Sequence, residues 1–228
     1  KYDGYCILEF EPDVPEQSLP QFLLPAKLSA SIDVLQHESI MLDCLQAAAT
    51  RIKELTGYDR VMVYRFDEDW HGEGVAEAKE DSLEPLLGLH YPASDIPVQA
   101  RELYKRNLLR MITDVEYHSV ALVPRVNPVT ERLLDMSDCV LRSVSPIHVE
   151  YLQNMGVRAT MTISLMVNGN LWGLVACHHY SPKFLPLWMR SACELLGQLV
   201  SLRLLGFIES ERYRAEAASI AMLDEVFN

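Results

Sequence analysis

Two short segments of the sequence combine residue types that bind anions. Residues 142–148, Arg-Ser-Val-Ser-Pro-Ile-His, place an arginine, hydroxyls and a histidine around a predicted helix start, where free backbone N–H groups favour a carboxylate or a phosphate. Thr160, Thr162 and Ser164 alternate with apolar residues, so their hydroxyls share one face of a predicted strand. The pattern indicates a polar pocket, with a structural histidine and a solvent-facing hydroxyl row as the alternatives.

Two further segments carry polar residues at a turn and at a strand end. Residues 92–97, Pro-Ala-Ser-Asp-Ile-Pro, are typical of a turn with a helix start. Residues 172–179 end in His178 and His179, and adjacent strand residues face opposite sides, so we expect one inward and one outward histidine rather than a metal pair. The sequence lacks the common hydrolase, phosphate-loop and zinc-protease motifs, so this part of the protein is not predicted to be an enzyme.

The hydrophobic pattern predicts the elements that position these residues. A period near 3.6 predicts one helix over residues 31–55, which Gly57 ends. Strands are predicted at residues 1–12, 60–66 and 72–78, and a hairpin of two strands at 158–167 and 171–177. Further helices are predicted at 97–107, at 145–155 with Ser145 as the cap, and at 187–224, where the helix is long. A linker is expected at 11–25 and a loop at 122–138. This order predicts an α+β domain with a central antiparallel sheet.

Composition limits the classes of partner. The chain has 228 residues, a net charge of −12 and 49% hydrophobic residues, which indicates a large globular domain with appendages and argues against a nucleic-acid partner. No apolar run reaches membrane-spanning length, so we expect no membrane partner. The odd set of scattered cysteines indicates free thiols in a reducing, cytoplasmic compartment. The start at Lys1, without a methionine or a signal peptide, suggests a cut from a longer protein.

Four motifs in register closely resemble the chromophore-binding GAF domain of phytochromes, the bacteriophytochrome branch in particular. They are residues 92–97, 141–148, 154–156 and 171–179, and the resemblance covers roughly residues 27–205. It implies a GAF domain with a central antiparallel sheet flanked by helices at residues 27–182. Residues 1–26 are similar to the end of a PAS domain and a linker, and residues 183–228 to a long connector or dimerisation helix.

The resemblance also implies a cofactor, a bilin, which is a linear tetrapyrrole with two propionates. Arg110 and Arg142 would pair with the propionates, and Asp95, through its carbonyl, and His148 would hold the pyrrole nitrogens. His178 would bind the carbonyl of the terminal ring. The other implied binding residues are Ser145, Thr160, Thr162 and Tyr104 as hydroxyl donors, Tyr64, Tyr91, Tyr151 and Met62 as walls of the rotating ring, and Ile96 of the turn motif.

Ile147 stands where many relatives carry a bilin-linking cysteine, which favours biliverdin, with phycocyanobilin as the alternative. The linking cysteine would then lie before Lys1. Cys139, near Arg142, is an alternative attachment point, although a buried apolar role is the simpler interpretation of its type.

The function that the resemblance implies is red/far-red light reception. Isomerisation of the bilin would signal through the long helix to PHY and output domains, in a homodimer and a two-component pathway, with a sensor histidine kinase as the typical full-length protein. Two alternatives stay open. One is a GAF interaction or dimerisation module, or a fluorescent derivative, that does not photoconvert; the other is a domain for a different small anion such as a cyclic nucleotide.

Overall fold

A computed structural model of the chain describes residues 6–11 and 21–227. In this part of the chain six strands form one sheet, in the order β3-β2-β1-β6-β5-β4, and every neighbouring pair is antiparallel. The elements are α1 (Leu24–His37), α2 (Met41–Thr56), β1 (Arg60–Phe66), β2 (Gly72–Lys79), β3 (His90–Tyr91), α3 (Val98–Arg106), β4 (Leu109–Ile112), α4 (Pro146–Asn154), β5 (Ala159–Val167), β6 (Asn170–His179) and α5 (Leu187–Phe227). The predicted α+β class, with a flanked antiparallel sheet and a long C-terminal helix, is confirmed.

The hydrophobic core lies between one face of the sheet and helices α1, α2 and α5. Met161, Ile163 and Leu165 of β5 are fully buried there, which confirms the predicted alternation of this strand. Helix α5 approaches β5 closely at Gly197, where an added Cβ would lie 2.4 Å from Cγ2 of Ile163. This packing leaves the opposite face of the sheet for a second layer.

The single helix predicted over residues 31–55 is wrong, because the structure has two helices there. Helix α1 ends at His37 and is followed by Glu38, whose backbone is extended, and α2 begins after the extended Ile40. The periodicity continues across the break because Leu35 and Cys44 are both buried in the same core. Helix α1 also begins inside the expected linker, with a proline in its first turn. Gly57 ends α2 as predicted, at φ 65°.

The strand predicted at residues 1–12 is also wrong for its described part. Residues 6–11 have no regular secondary structure, and Leu8 and Phe10 are exposed. Alternation alone does not make a strand without a neighbouring strand to pair with. Residues 1–5 and 12–20 lie outside the described residues, and so does most of the expected PAS remnant.

The other elements follow the prediction with two exceptions. The hairpin turns at Asn168 and Gly169, both with positive φ, and α4 is followed by Gly156 at φ 70°. Ser145 occupies the N-cap position of α4, but its side chain makes no capping hydrogen bond, so the predicted hydroxyl cap is wrong. Strand β3 is not predicted, and the pattern gives no bounds for β4, the strand expected between the helices at 97–107 and 145–155, because two and four residues are too short to show a period.

Helix α5 contains a stretch, Leu187–Ile220, that is long and apolar enough to cross a membrane by length and composition. This differs from the expectation that no segment reaches that threshold. Met189, Cys193, Leu196, Val200 and Leu204 of this stretch are buried in the hydrophobic core. Packing against the sheet therefore accounts for part of its apolar composition, because 39% of the apolar window is buried.

Candidate ligand-binding site

A cavity of about 540 Å³ lies on the sheet face opposite α1, α2 and α5. Strand register builds its floor, because residues paired across an antiparallel sheet point to the same side. One row runs across four strands as Met62, Ala176, Thr162 and Arg110. A second row runs through His178, Thr160 and Ile112. The short strand β4, which the periodicity did not reveal, is therefore what brings Arg110 to the floor.

The walls come from α3, α4 and the segments that precede them. The cavity lining includes every predicted binding residue: Met62, Tyr64, Tyr91, Asp95, Ile96, Tyr104, Arg110, Arg142, Ser145, His148, Tyr151, Thr160, Thr162 and His178. Cys139 is not part of the lining; it is buried, and burial raises the pKa of its thiol. The structure thus brings the predicted set together around one space, while the role of each residue toward a ligand remains a prediction.

One end of the cavity is cationic and rich in hydroxyls. Arg110 donates to the backbone carbonyls of Val140 and Arg142, and Arg142 Nη1 donates to the carbonyl of Cys139 at 2.8 Å. Burial and the neighbouring Arg142 lower the pKa of Arg110 to about 10, so it stays protonated at neutral pH. Beside it, burial raises the pKa of the Tyr104 hydroxyl, and the neighbouring Thr162 and both arginines partly offset this shift. Two guanidinium groups with adjacent hydroxyls are suited to carboxylate groups.

Two histidines face the cavity from different elements. The His148 ring stacks on Tyr151 with centroids 6.4 Å apart, because one helical turn separates the two residues on α4. Burial, and then the charge of Arg110, lowers the pKa of His148. Burial lowers the pKa of His178 to about 4, with smaller effects from Arg60 and His148. Both rings are therefore neutral at pH 7, and each offers one donor and one acceptor.

Tyrosines form the wall near β1. The rings of Tyr64 and Tyr91 lie 5.6 Å apart, and burial raises the pKa of both hydroxyls, so both are protonated donors. Gly72 makes room for this wall, because an added Cβ would lie 1.6 Å from Cζ of Tyr64. The sequence does not reveal this role of Gly72 in the tyrosine wall. The feature that could have indicated it is a glycine at the start of β2, paired with Phe66 at the turn end of the β1–β2 pair.

Several lining residues were not predicted individually. Ser94, Ala100, Asn107, Val144 and Met155 belong to segments already recognised, but their types alone carry no signal for binding. His179 lies on the other side of the sheet from the cavity, as expected for the outward histidine. It packs against Tyr58, and its Nδ1 lies 2.7 Å from Oδ2 of Asp59. Within the described residues, no cluster of three or more His, Cys, Asp or Glu side chains is placed to hold a metal ion.

Comparison with known proteins agrees with this arrangement. Residues 41–204 match the GAF domain family. The chain is 49% identical to cyanobacterial phytochrome B of Nostoc sp. over 209 residues, which cover 92% of the chain and 28% of that protein. It is 47% identical to a bacteriophytochrome of Pseudomonas aeruginosa over 201 residues, 88% of the chain and 27% of that protein.

Solved structures give the same picture. The chromophore-binding domain of an unusual bacteriophytochrome from R. palustris superposes with a TM-score of 0.83 at 38% identity, covering 86% of this chain and 64% of that one. The chromophore-binding domain of the Stigmatella aurantiaca bacteriophytochrome, a Thr289His mutant in the Pr state, superposes with a TM-score of 0.78 at 43% identity, covering 85% and 64%. The chain spans less than a third of the length of the two curated relatives named above.

Proposed function

Because the chain belongs to the GAF domain family, and to the phytochromes within it, we propose that its cavity binds a bilin and that the domain is a light-sensing module. The described cavity, rather than the family name alone, carries this proposal. The chain covers 28% of a relative such as the Nostoc phytochrome, so the activity of a full-length protein is proposed separately from cofactor binding.

The carrying observation is a set of buried polar atoms that converge on the cavity. Nε of Arg110, Nδ1 of His178 and the hydroxyls of Tyr64 and Tyr91 have no hydrogen-bond partner among the residues that the structure describes. A buried polar group without a partner is costly, so such groups fit a ligand that supplies polar partners. A bilin carries carboxylates and ring carbonyls along an apolar framework, which matches these atoms and the aromatic walls.

Each group of residues has a role in this proposal. Arg110 and Arg142 hold the two propionates, supported by the hydroxyls of Tyr104 and Thr162 near them. Ser145 and Thr160 supply further hydroxyl donors. On the opposite side, the Asp95 carbonyl and the neutral His148 bind pyrrole N–H groups directly or through water, while Ile96 packs beside them.

When bound, a bilin supplies absorption of red light and isomerisation about a methine double bond. The protein's own contribution is to orient the cofactor and to restrict which part of it can move. Tyr64, Tyr91, Tyr151 and Met62 surround one terminal ring, and His178 donates to its carbonyl or accepts from its N–H group. His178 belongs to β6, the strand that precedes α5 in the chain. A movement of His178 can therefore shift the conformational equilibrium of this helix and of the domains beyond it.

We further propose biliverdin, rather than phycocyanobilin, as the bilin. The residue immediately before His148 is Ile147, which is 78% exposed, and no cysteine is part of the described cavity lining. The described residues therefore hold the cofactor without a covalent bond. In the full-length protein, the proposed output is a cytoplasmic two-component pathway through a PHY domain and a histidine kinase.

A homodimer through α5 is part of this proposal. Leu195 and Leu202, and likewise Tyr213 and Ile220, are exposed and are separated by seven positions, or two helical turns. This spacing places apolar side chains along one stripe, as in paired helices. Sedimentation of the wild-type chain should give a dimer mass, and Leu202→Glu should shift it toward the monomer.

Blocking the cavity tests the binding proposal. Ala100 lines the cavity from α3, whereas Val98 on the same helix is 60% exposed and does not. Titration with biliverdin should give saturable binding to the wild-type chain and to Val98→Trp, and much weaker binding to Ala100→Trp. Equal binding by the two variants would place the ligand elsewhere, and absence of binding by the wild type would overturn the proposed function.

A further inference from the structure

An exposed glutamate near the start of the chain contacts the segment that carries the cavity arginines. The side chain of Glu9 accepts two backbone hydrogen bonds, from Val140 N–H at 2.9 Å and from Leu141 N–H at 2.6 Å. These residues lie more than a hundred positions apart in the sequence. Glu9 lies outside the residues that match the GAF domain family.

The same two peptide units face the arginines with their carbonyls. In the first, Val140 N–H donates to Glu9 and the Cys139 carbonyl accepts from Arg142 at 2.8 Å. In the second, Leu141 N–H donates to Glu9 and the Val140 carbonyl accepts from Arg110. Two successive peptide groups therefore stand between one carboxylate and two guanidinium groups, each with its N–H toward the anion and its C=O toward a cation.

This arrangement favours one orientation of the segment. A carboxylate at the N–H side and a guanidinium at the C=O side polarise the same peptide group in the same sense, so the two contacts strengthen each other. Without the carboxylate, Val140 and Leu141 lose their acceptor, and the carbonyls that orient both guanidinium groups are no longer held.

We propose that Glu9 is a positioning residue for the carboxylate-binding end of the cavity. It holds residues 139–142 so that Arg110 and Arg142 present their guanidinium groups to the cofactor's propionates. This inference rests on the proposed function and adds a specific requirement to it: the first described segment contributes to cofactor affinity without touching the cofactor.

A neighbouring residue supplies a matched control. Glu11, two positions along the same segment, pairs with Arg190 of α5; it is not part of the cavity lining, and no hydrogen bond joins it to the 139–142 segment among the described residues. If loosening of the first segment were enough to weaken binding, Glu11→Gln would act like Glu9→Gln. A specific role for Glu9 separates the two variants.

The test compares biliverdin with its dimethyl ester, whose propionates carry no charge. Affinities are measured for the wild-type chain, Glu9→Gln and Glu11→Gln, with thermal unfolding as a check on folding. Glu9→Gln should lose about tenfold in affinity for biliverdin, the loss expected for one charge-assisted contact. Its affinity for the dimethyl ester should equal that of the wild type, because the effect acts through the arginines.

The outcomes separate the inference from the function on which it rests. In one outcome the wild type binds biliverdin while Glu9→Gln and Glu11→Gln have the same affinity; in another, Glu9→Gln loses affinity for biliverdin and for the dimethyl ester equally. Either result overturns the positioning role of Glu9 and leaves the proposed function standing. If the wild type binds neither compound, the proposed function is overturned and the inference with it. Faster amide exchange at Val140 and Leu141 in Glu9→Gln alone would support the clamp in the free protein, and unchanged exchange would overturn it.

Discussion

His178 and His179 are consecutive residues of β6 that serve opposite sides of the sheet. His178 lines the cavity. His179 packs edge-on against Tyr58 and brings its Nδ1 to 2.7 Å from Asp59. The period of two along a strand thus divides a histidine pair into one residue available to a ligand and one tied to the protein.

His178 predicts how the stability of the free protein depends on pH. Burial lowers the pKa of His178 to about 4, below the value near 6.5 of an unfolded chain. Between these values the unfolded state binds a proton that the native state does not, so stability falls as pH decreases from 6.5 toward 4. This residue should contribute at most about 3 kcal/mol of that loss.

The measurement is urea unfolding from pH 7 to pH 4.5. His178→Gln should reduce the slope of stability against pH, whereas the matched variant His90→Gln, at an exposed position, should leave it unchanged. Part of the slope will remain, since burial also lowers the pKa of His148. Equal slopes for wild type and His178→Gln would contradict the assignment.

Arg142 predicts a loss of cofactor affinity. Arg142→Gln removes one cationic partner of the propionates, and a charge-assisted contact of this kind corresponds to about 10- to 100-fold in affinity. Arg106 supplies the control, since it is paired with Asp138 outside the cavity lining. Biliverdin titration should show the loss for Arg142→Gln only; a similar loss in Arg106→Gln would indicate a general charge effect.

Substitution of Gly72 should affect both the stability of the domain and its affinity for biliverdin. In Gly72→Ala the new Cβ overlaps the Tyr64 ring, which has to shift, so we expect destabilisation of roughly 1–3 kcal/mol together with weaker biliverdin binding. Gly206→Ala, in α5, has no neighbouring atom within 4 Å and should stabilise by about 0.5–1 kcal/mol. Unfolding curves and titrations check both, and an unaffected Gly72→Ala would show that the tyrosine wall tolerates displacement.

We expect no covalent bond between biliverdin and Cys139. Its side chain is 4% exposed, lies outside the cavity lining and has a raised pKa, so little reactive thiolate is available. After incubation with biliverdin, mass spectrometry of the denatured chain should detect no adduct on the peptide that contains Cys139. Cys139→Ala should bind biliverdin as the wild type does, and an adduct mapped to Cys139 would refute this prediction.

The sequence was sufficient where the local pattern and the final environment agree. The hairpin at Asn168-Gly169 and the alternation of β5 follow from turn chemistry and a period of two. Both are confirmed, since Met161, Ile163 and Leu165 lie in the core while Thr160 and Thr162 line the cavity. The cavity residues came from motifs that resemble those of phytochromes, and the structure brings them together. Periodicity alone indicated only a polar pocket, because strand register, which aligns Met62 with Ala176 and Thr162, is not local information.

Other features required the structure. Helices α1 and α2 read as one helix because both bury residues in the same core. Alternation predicts a strand at residues 6–11, but these residues do not pair with any strand of the described sheet. The contact of Glu9 with Val140 and Leu141 joins distant parts of the chain through backbone N–H groups, which leave no mark on residue type.

The most direct test of the central claim is the absorbance spectrum of the chain mixed with biliverdin, recorded before and after red illumination. We expect a new red band that saturates at one cofactor per chain, changes on illumination and recovers afterwards. A red band that illumination leaves unchanged would contradict light sensing and favour an interaction module that binds bilin. A spectrum identical to that of free biliverdin would contradict the assignment of the cavity itself.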